Sequence, residues 1–160
     1  MSEVFNIPIF HLTYFEEPEK HAEQFRKATA KILDWLMNKS DGFIIDRYIL
    51  SELVYHKVYR PELPLLDDAY FMYEIMEHRS SLGELELIIT LPYDKERWFE
   101  QFKELEKNRK EMYTSEKMME VYDEYLNYWK KLRYNKNVMR YDLFENMDGA
   151  NKGKILNINE

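Results

Sequence analysis

The chain has 160 residues, 45% apolar and 33% charged, a balance that suits one globular domain and argues against disorder of the whole. A formal charge of −7, from 23 basic and 30 acidic residues, supplies no basic face for coating a duplex, so no nucleic-acid partner is expected. Cysteine is absent, which excludes disulfides, thiolate catalysis and cysteine metal sites.

The first apolar run, Ile7 to Tyr14, is rich in β-branched and aromatic residues and reads as a strand. Glu16-Glu17-Pro18-Glu19 then places acids and a proline where a first helical turn favours them. Ala22, Phe25, Thr29, Ile32, Leu33 and Leu36 follow at three- and four-residue spacing, an amphipathic helix that ends between Asn38 and Gly42. Phe43-Ile44-Ile45 is short and wholly apolar, the pattern of a strand buried on both faces, and it stops at Asp46-Arg47. Tyr48 to Tyr59 is helical up to the breaks at Pro61 and Pro64. Asp67 or Asp68 caps a helix running to about Ser81, with Phe71, Ile75 and Met76 expected inward. Leu85 to Leu91 is a second buried strand, ended by Pro92. Asp94 caps a helix carrying Trp98, Phe99, Phe102 and Leu105. Beyond a charged link, 106–113, Thr114 or Ser115 caps a strong helix with Met118, Tyr122, Tyr125 and Trp129 on one stripe. Val138 to Phe144 is the last strand, and residues 146–160 form a polar tail expected to be flexible.

Strands separated by helices need crossovers and therefore pair in parallel. The expected architecture is an α/β three-layer sandwich: a small, mostly parallel sheet flanked by helices, one domain over residues 1–145. Ligands gather beyond the carboxyl ends of such strands. His11 and Thr13, Asp46 and Arg47, and Thr90 stand there. The histidines (His11, His21, His56, His78) lack metal spacing, and His21 and His78 read as helix surface. Mixed charges between Asp94 and Lys117 read as a solvated face, and Met72, Met76, Met118 and Met119 as core fillers.

Asp46-Arg47-Tyr48 follows an apolar strand directly and opens a helix bearing Ser51, Tyr55 and His56. An arginine at a strand tip presents a planar fork of donors suited to a phosphate. Asp46 can orient it or hold a magnesium ion beside a phosphate. Tyr48, Ser51, Tyr55 and His56 can offer hydroxyls and a ring face to a nucleobase. The plainer alternative is an Asp–Arg pair that only caps the next helix.

The stretch Gly42 to Arg60 (GFIIDRYILSELVYHKVYR) resembles the thymidylate kinase signature: an apolar strand, Asp-Arg-Tyr, two spacers, Ser, and three residues later Tyr-Gln, with His56 here in place of the Gln. Weaker likeness extends over residues 7 to 145. Glu17-Pro18 resembles the Glu-Pro of the loop after the family's second strand, without the glycines that follow there. Leu85 to Pro92 resembles its fourth strand, and Lys107 to Leu126 its lid and the helix after it. The resemblance implies a nucleoside monophosphate kinase core. Arg47 would grip the acceptor monophosphate and Asp46 would lie near the phosphates and Mg2+. Tyr48, Ser51, Tyr55, His56 and Glu17 would line the nucleotide pocket. Arg109 (or Lys107 or Lys110) would stabilise the transferring phosphoryl group, with ATP as donor.

That family opens with a central strand and G-x-x-x-x-G-K-[ST], whose amides and lysine cradle the donor phosphates. These 160 residues contain no such motif, and their first glycine is Gly42. The expected fold is thus a P-loop kinase core lacking its first strand, with a homodimer or a protein partner covering that region. Two functions follow. One is a nucleotide-binding protein with a dTMP-like acceptor site, transferring phosphoryl groups only if donor contacts come from elsewhere. The other is a non-catalytic, kinase-derived protein that sequesters a nucleotide or inhibits another protein. Neither a long apolar run nor a basic-then-apolar amino terminus is present, so a cytoplasmic protein without membrane contact is expected, in a host cytoplasm if its lean form reflects a viral or phage source.

Overall fold

A computed structural model describes residues 9–11, 18–38, 44–62, 67–106, 114–142 and 144. The elements run β1 (Ile9–His11), α1 (Pro18–Asn38), β2 (Ile44–Asp46), α2 (Ile49–Tyr59), α3 (Asp67–Ser81), β3 (Leu87–Thr90), α4 (Lys95–Glu106), α5 (Ser115–Leu132) and β4 (Val138–Tyr141). The protein is mixed α/β and mostly helical. Its strands pair in parallel, as the crossovers demand, but in two separate pairs, β1–β2 and β3–β4, where one continuous sheet was expected. The chain divides into two compact units, Met1–Leu53 with Pro64–Tyr73 and Val54–Leu63 with Glu74–Glu160. The division falls within α2 and α3. The expected tail lies outside the described residues.

In the first unit the β1–β2 register sets Ile9 beside Ile44, Phe10 beside Ile45 and His11 beside Asp46. Helix α1 buries Phe25, Thr29 and Ile32, three of the residues its spacing singles out. β2 is less enclosed than its apolar run suggests: Ile44 and Ile45 are half-buried and Asp46 is exposed. Phe71 was expected inward on α3, yet it is 59% exposed. Ala69, Met72 and Ser80 are the buried positions on that helix. Phe71 lies about 100° around the helix from Met72.

In the second unit, Val54, Val58 and Val121 form a core between α2 and α5, packed round by Tyr55, Tyr59, Met118, Tyr125 and Tyr128. Lys117 donates to the Val58 carbonyl at 3.3 Å and Lys57 pairs with Glu124 at 2.7 Å, tying the two helices at the core's margin. Two of the predicted caps are present here. Thr114 accepts from the Lys117 amide, and Asp94 accepts from the Arg97 amide at 2.8 Å. Helix α3 closes on Gly83 at φ +78, with Glu84 N–H bonded to the Arg79 carbonyl and Gly83 N–H to the Ser80 carbonyl.

The β3–β4 pair puts Leu87 beside Val138, Ile89 beside Arg140 and Thr90 beside Tyr141. One face is buried through Ile89, Val138 and Arg140. The expectation of a wholly buried β3 fails on the other face, where Ile88 is 42% exposed. Arg140 stands at an inward position of β4 that alternation would give to an apolar residue. Its Nε donates to the Leu91 carbonyl at 2.7 Å, and Nη2 donates to the Pro92 carbonyl and, at 3.2 Å, meets the Tyr122 hydroxyl. The Tyr122 hydroxyl donates to the same Pro92 carbonyl at 2.6 Å. The guanidinium lies 4.0 Å from the Tyr93 ring centre. Asp142, also buried, accepts from the Tyr93 amide at 2.6 Å and the Phe144 amide at 2.8 Å. These bonds satisfy the backbone where β3 gives way to a proline that cannot continue a ladder. Replacing Arg140 with Met should destabilise the protein by about 3 kcal/mol, because buried carbonyls lose charged donors. Urea unfolding should show a lower midpoint at an unchanged slope.

Candidate functional site: the turn after strand β2

Asp46 ends β2 at the carboxyl edge of the first parallel pair, level with His11 of β1. Two residues later, Tyr48 leads into α2, whose first turn is buried through Ile49 and Leu50. Between them Arg47 adopts φ +58, the one positive φ of a non-glycine residue among the described residues. A side chain in this left-handed region costs about 1–2 kcal/mol and persists only where both neighbours are held. β2 pairing holds Asp46, and a set of contacts to α1 holds Tyr48.

Those contacts form an antiparallel ladder. On α1, His21, Phe25 and Thr29 recur every four residues. Facing them are Tyr48 and Glu52, also four apart. His21 Nε2 lies 2.7 Å from Glu52 Oε2, with Glu52 only 5% exposed. The rings of Phe25 and Tyr48 stack at 5.1 Å and 22°. Thr29 Oγ1 and the Tyr48 hydroxyl share a hydrogen bond of 2.8 Å. The Tyr48 carbonyl accepts from the Glu52 amide at 3.0 Å, which starts the helix. Burial pushes the Tyr48 hydroxyl up to about 12, against the lowering effect of its bond to Thr29 and with a smaller raising effect from the Asp68 charge.

Arg47 and Asp46 are both exposed, on either side of the strand-to-helix boundary. The guanidinium therefore stands at the protein surface above a backbone that is fixed on each side. Tyr48, expected to contact substrate, is turned toward α1 with its hydroxyl engaged by Thr29, so its part is to anchor the turn. Ser51 is half-buried one turn into α2. Tyr55 and His56 belong to the second unit. Tyr55 packs on its valine core and stacks with Tyr59 at 5.8 Å. His56 is half-buried, and its carbonyl accepts from the Arg60 amide. Thr90 is exposed at the end of β3. Glu17, Thr13, Arg109, Lys107 and Lys110 lie outside the described residues.

Among the described residues no group of three or more His, Asp or Glu is placed to hold a metal ion. Asp46 is exposed at the end of β2. His21 corrects the expectation of a surface histidine, since its side chain is only 14% exposed and pairs with Glu52. His78 is exposed, as expected. The four-residue spacings of His21-Phe25-Thr29 and Tyr48-Glu52 were the available signal for the ladder. Reading it requires knowing that the two helices face each other. No helix of the described residues is long and apolar enough to cross a membrane. No family model, curated protein or solved structure matches the chain.

The neutral Tyr48 phenol is favoured in the folded state, so its contribution is complete below pH 10 and is lost as pH climbs through about 12. Stability measured by urea unfolding should fall over that window by on the order of 2 kcal/mol more in the wild type than in Tyr48→Phe. At neutral pH the variant should be weaker by about 1 kcal/mol for the lost Thr29 bond. Arg47→Gly should raise the midpoint, gaining up to about 1 kcal/mol through relief at φ +58 less the added freedom of the unfolded glycine.

Proposed function

We propose that the chain is a nucleotide-binding protein of thymidylate-kinase type, in which Arg47 grips the phosphate of a deoxynucleoside monophosphate such as dTMP. The observation that carries the reading is the strained, exposed arginine at the carboxyl end of a parallel strand. Strain at a residue that glycine would relieve favours a role for the side chain over a role in folding. A guanidinium there matches phosphate geometry through paired donors. The capping alternative needs no such backbone conformation.

On this reading the sheet of the three-layer sandwich would take a further strand from another segment or chain. Asp46 would hold Mg2+ beside the phosphates, and Arg109 would neutralise charge on the transferring group. ATP would serve as donor where a G-x-x-x-x-G-K-[ST] loop joins the site, because these 160 residues carry none. That same lack favours the second reading, in which the chain binds a nucleotide, or a protein, without turnover.

Thermal unfolding with dTMP, dUMP, dGMP and ATP tests the proposal. A monophosphate at a hundred times its dissociation constant should stabilise the wild type by about 2.7 kcal/mol. Arg47→Ala should abolish most of that shift while leaving the unliganded midpoint within about 1 kcal/mol of wild type. Equal shifts in both proteins, or none with any nucleotide, would defeat the assignment. An ADP-release assay then separates a kinase from a binder.

A further inference from the structure

We propose that the turn joining α5 to β4 binds single-stranded nucleic acid, with Lys130, Lys131, Arg133 and Lys136 meeting phosphates and the Tyr134 ring stacking on a base. The surface lies wholly within the second unit and does not rest on the reading of Arg47.

The net charge of −7 hides a local reversal of sign. Residues 125–141 contain no Asp or Glu, and the four cations Lys130, Lys131, Arg133 and Lys136 crowd into their middle, all exposed. Earlier in α5 the charges are matched, since Glu120, Asp123 and Glu124 pair with Lys117, Lys95 and Lys57. Among the described residues none of the four later cations has a carboxylate. Lys130 and Lys131 stand in the last turn of α5, where cations complement the helix dipole. That effect fades within the turn and does not account for Lys136, which lies past the cap at Arg133.

The backbone that carries these groups is fixed. Asn135 N–H donates to the Leu132 carbonyl at 2.9 Å, and Val138 N–H to the Asn135 carbonyl at 3.0 Å. Asn135 Nδ2 donates to Ser80 Oγ at 3.2 Å and Asn137 Nδ2 to the Ser80 carbonyl at 2.7 Å, which pins the turn to a buried residue of α3. Tyr134 stands out from this frame, 79% exposed. The Arg133 guanidinium lies 4.8 Å from its ring centre and donates to its hydroxyl at 2.7 Å. Lys131 makes a second such contact, 5.4 Å from the Tyr128 ring centre. Cations and aromatic rings are therefore interleaved on one rigid turn.

That mixture selects among anionic partners. An acidic peptide answers the charges alone, and lysine is depleted where proteins meet proteins. A single strand brings phosphates at close spacing together with flat base faces that stack on exposed rings. A duplex keeps those faces inside its own stack, which agrees with the lack of a broad basic face. Four cations give weak, salt-sensitive binding, with a dissociation constant on the order of 10 μM at low salt.

Fluorescence anisotropy of labelled oligothymidylate and oligouridylate, titrated with the full chain from about 50 to 200 mM NaCl, reads this directly. For wild type the logarithm of the binding constant should fall against the logarithm of salt with a slope of roughly −2 to −3, as three or four phosphates require. Joint Lys130→Gln and Lys136→Gln substitution should bring that slope down by about half. Tyr134→Ala should weaken binding about tenfold at an unchanged slope, and Tyr134→Phe should keep wild-type affinity. Melting temperatures should not move, because all three positions are exposed. If one variant fails to fold, the others decide. Binding of either strand supports the proposal, and the tighter of the two names the sugar. No binding to either strand at low salt, equal binding of polyglutamate or of phosphatidylserine vesicles, or wild-type behaviour in the folded variants would each overturn it.

Discussion

The turn at Arg47 depends on a contest between two fixed neighbours. Parallel pairing with β1 sets the direction in which β2 ends. The stacking of Tyr48 on Phe25, with its bond to Thr29, sets where α2 must begin. One residue is left to join them, and it does so at φ +58. Three modest interactions together outweigh a backbone penalty of about 1–2 kcal/mol. The His21–Glu52 contact extends the same helix pairing by another turn, so the alignment of α1 on α2 does not rest on Tyr48 alone. The exposed guanidinium is thus carried on a rigid base, the condition under which a charged side chain can meet an anion with little ordering of the protein.

The second unit solves a related problem by another route. Here the chain leaves β3 through Leu91-Pro92-Tyr93, and Pro92 offers no amide to the ladder. A buried guanidinium takes up the Leu91 and Pro92 carbonyls from below, and the Asp142 carboxylate takes the Tyr93 amide. Burial of a charge is expensive unless its donors find partners. Arg140 offsets that cost through Nε and Nη2 with two carbonyls and a hydroxyl, and through an aromatic face. The fork shape matters, because a lysine could not reach Leu91 and Pro92 from one planar group.

Much of this architecture is legible in the residues themselves, and the parts that are not share a cause. The α1 stripe, the caps at Asp94 and Thr114, and the parallel sense of the strands rest on short-range pattern or on connection geometry. Each is present in the structure. Phe71 and Ile88 were misplaced because α3 and β3 carry apolar residues on both faces. Period alone cannot choose a face there. The division into two strand pairs involves long-range partners that local pattern does not encode. Arg140 sits where alternation predicts a hydrophobe, and its carbonyl partners are 48 and 49 residues away in the chain. Of the turn itself, the Asp46-Arg47-Tyr48 sequence pointed to the right place, but the role of Tyr48 as an anchor depends on α1 folding back across it.

The left-handed arginine has an evolutionary consequence. Every arginine codon lies a single base change from a glycine codon, so drift has a short path to a more comfortable backbone at residue 47. A lineage that keeps the cation does so against a local gain in stability. Comparison of naturally occurring variants at this position therefore weighs selection for charge directly against selection for fold.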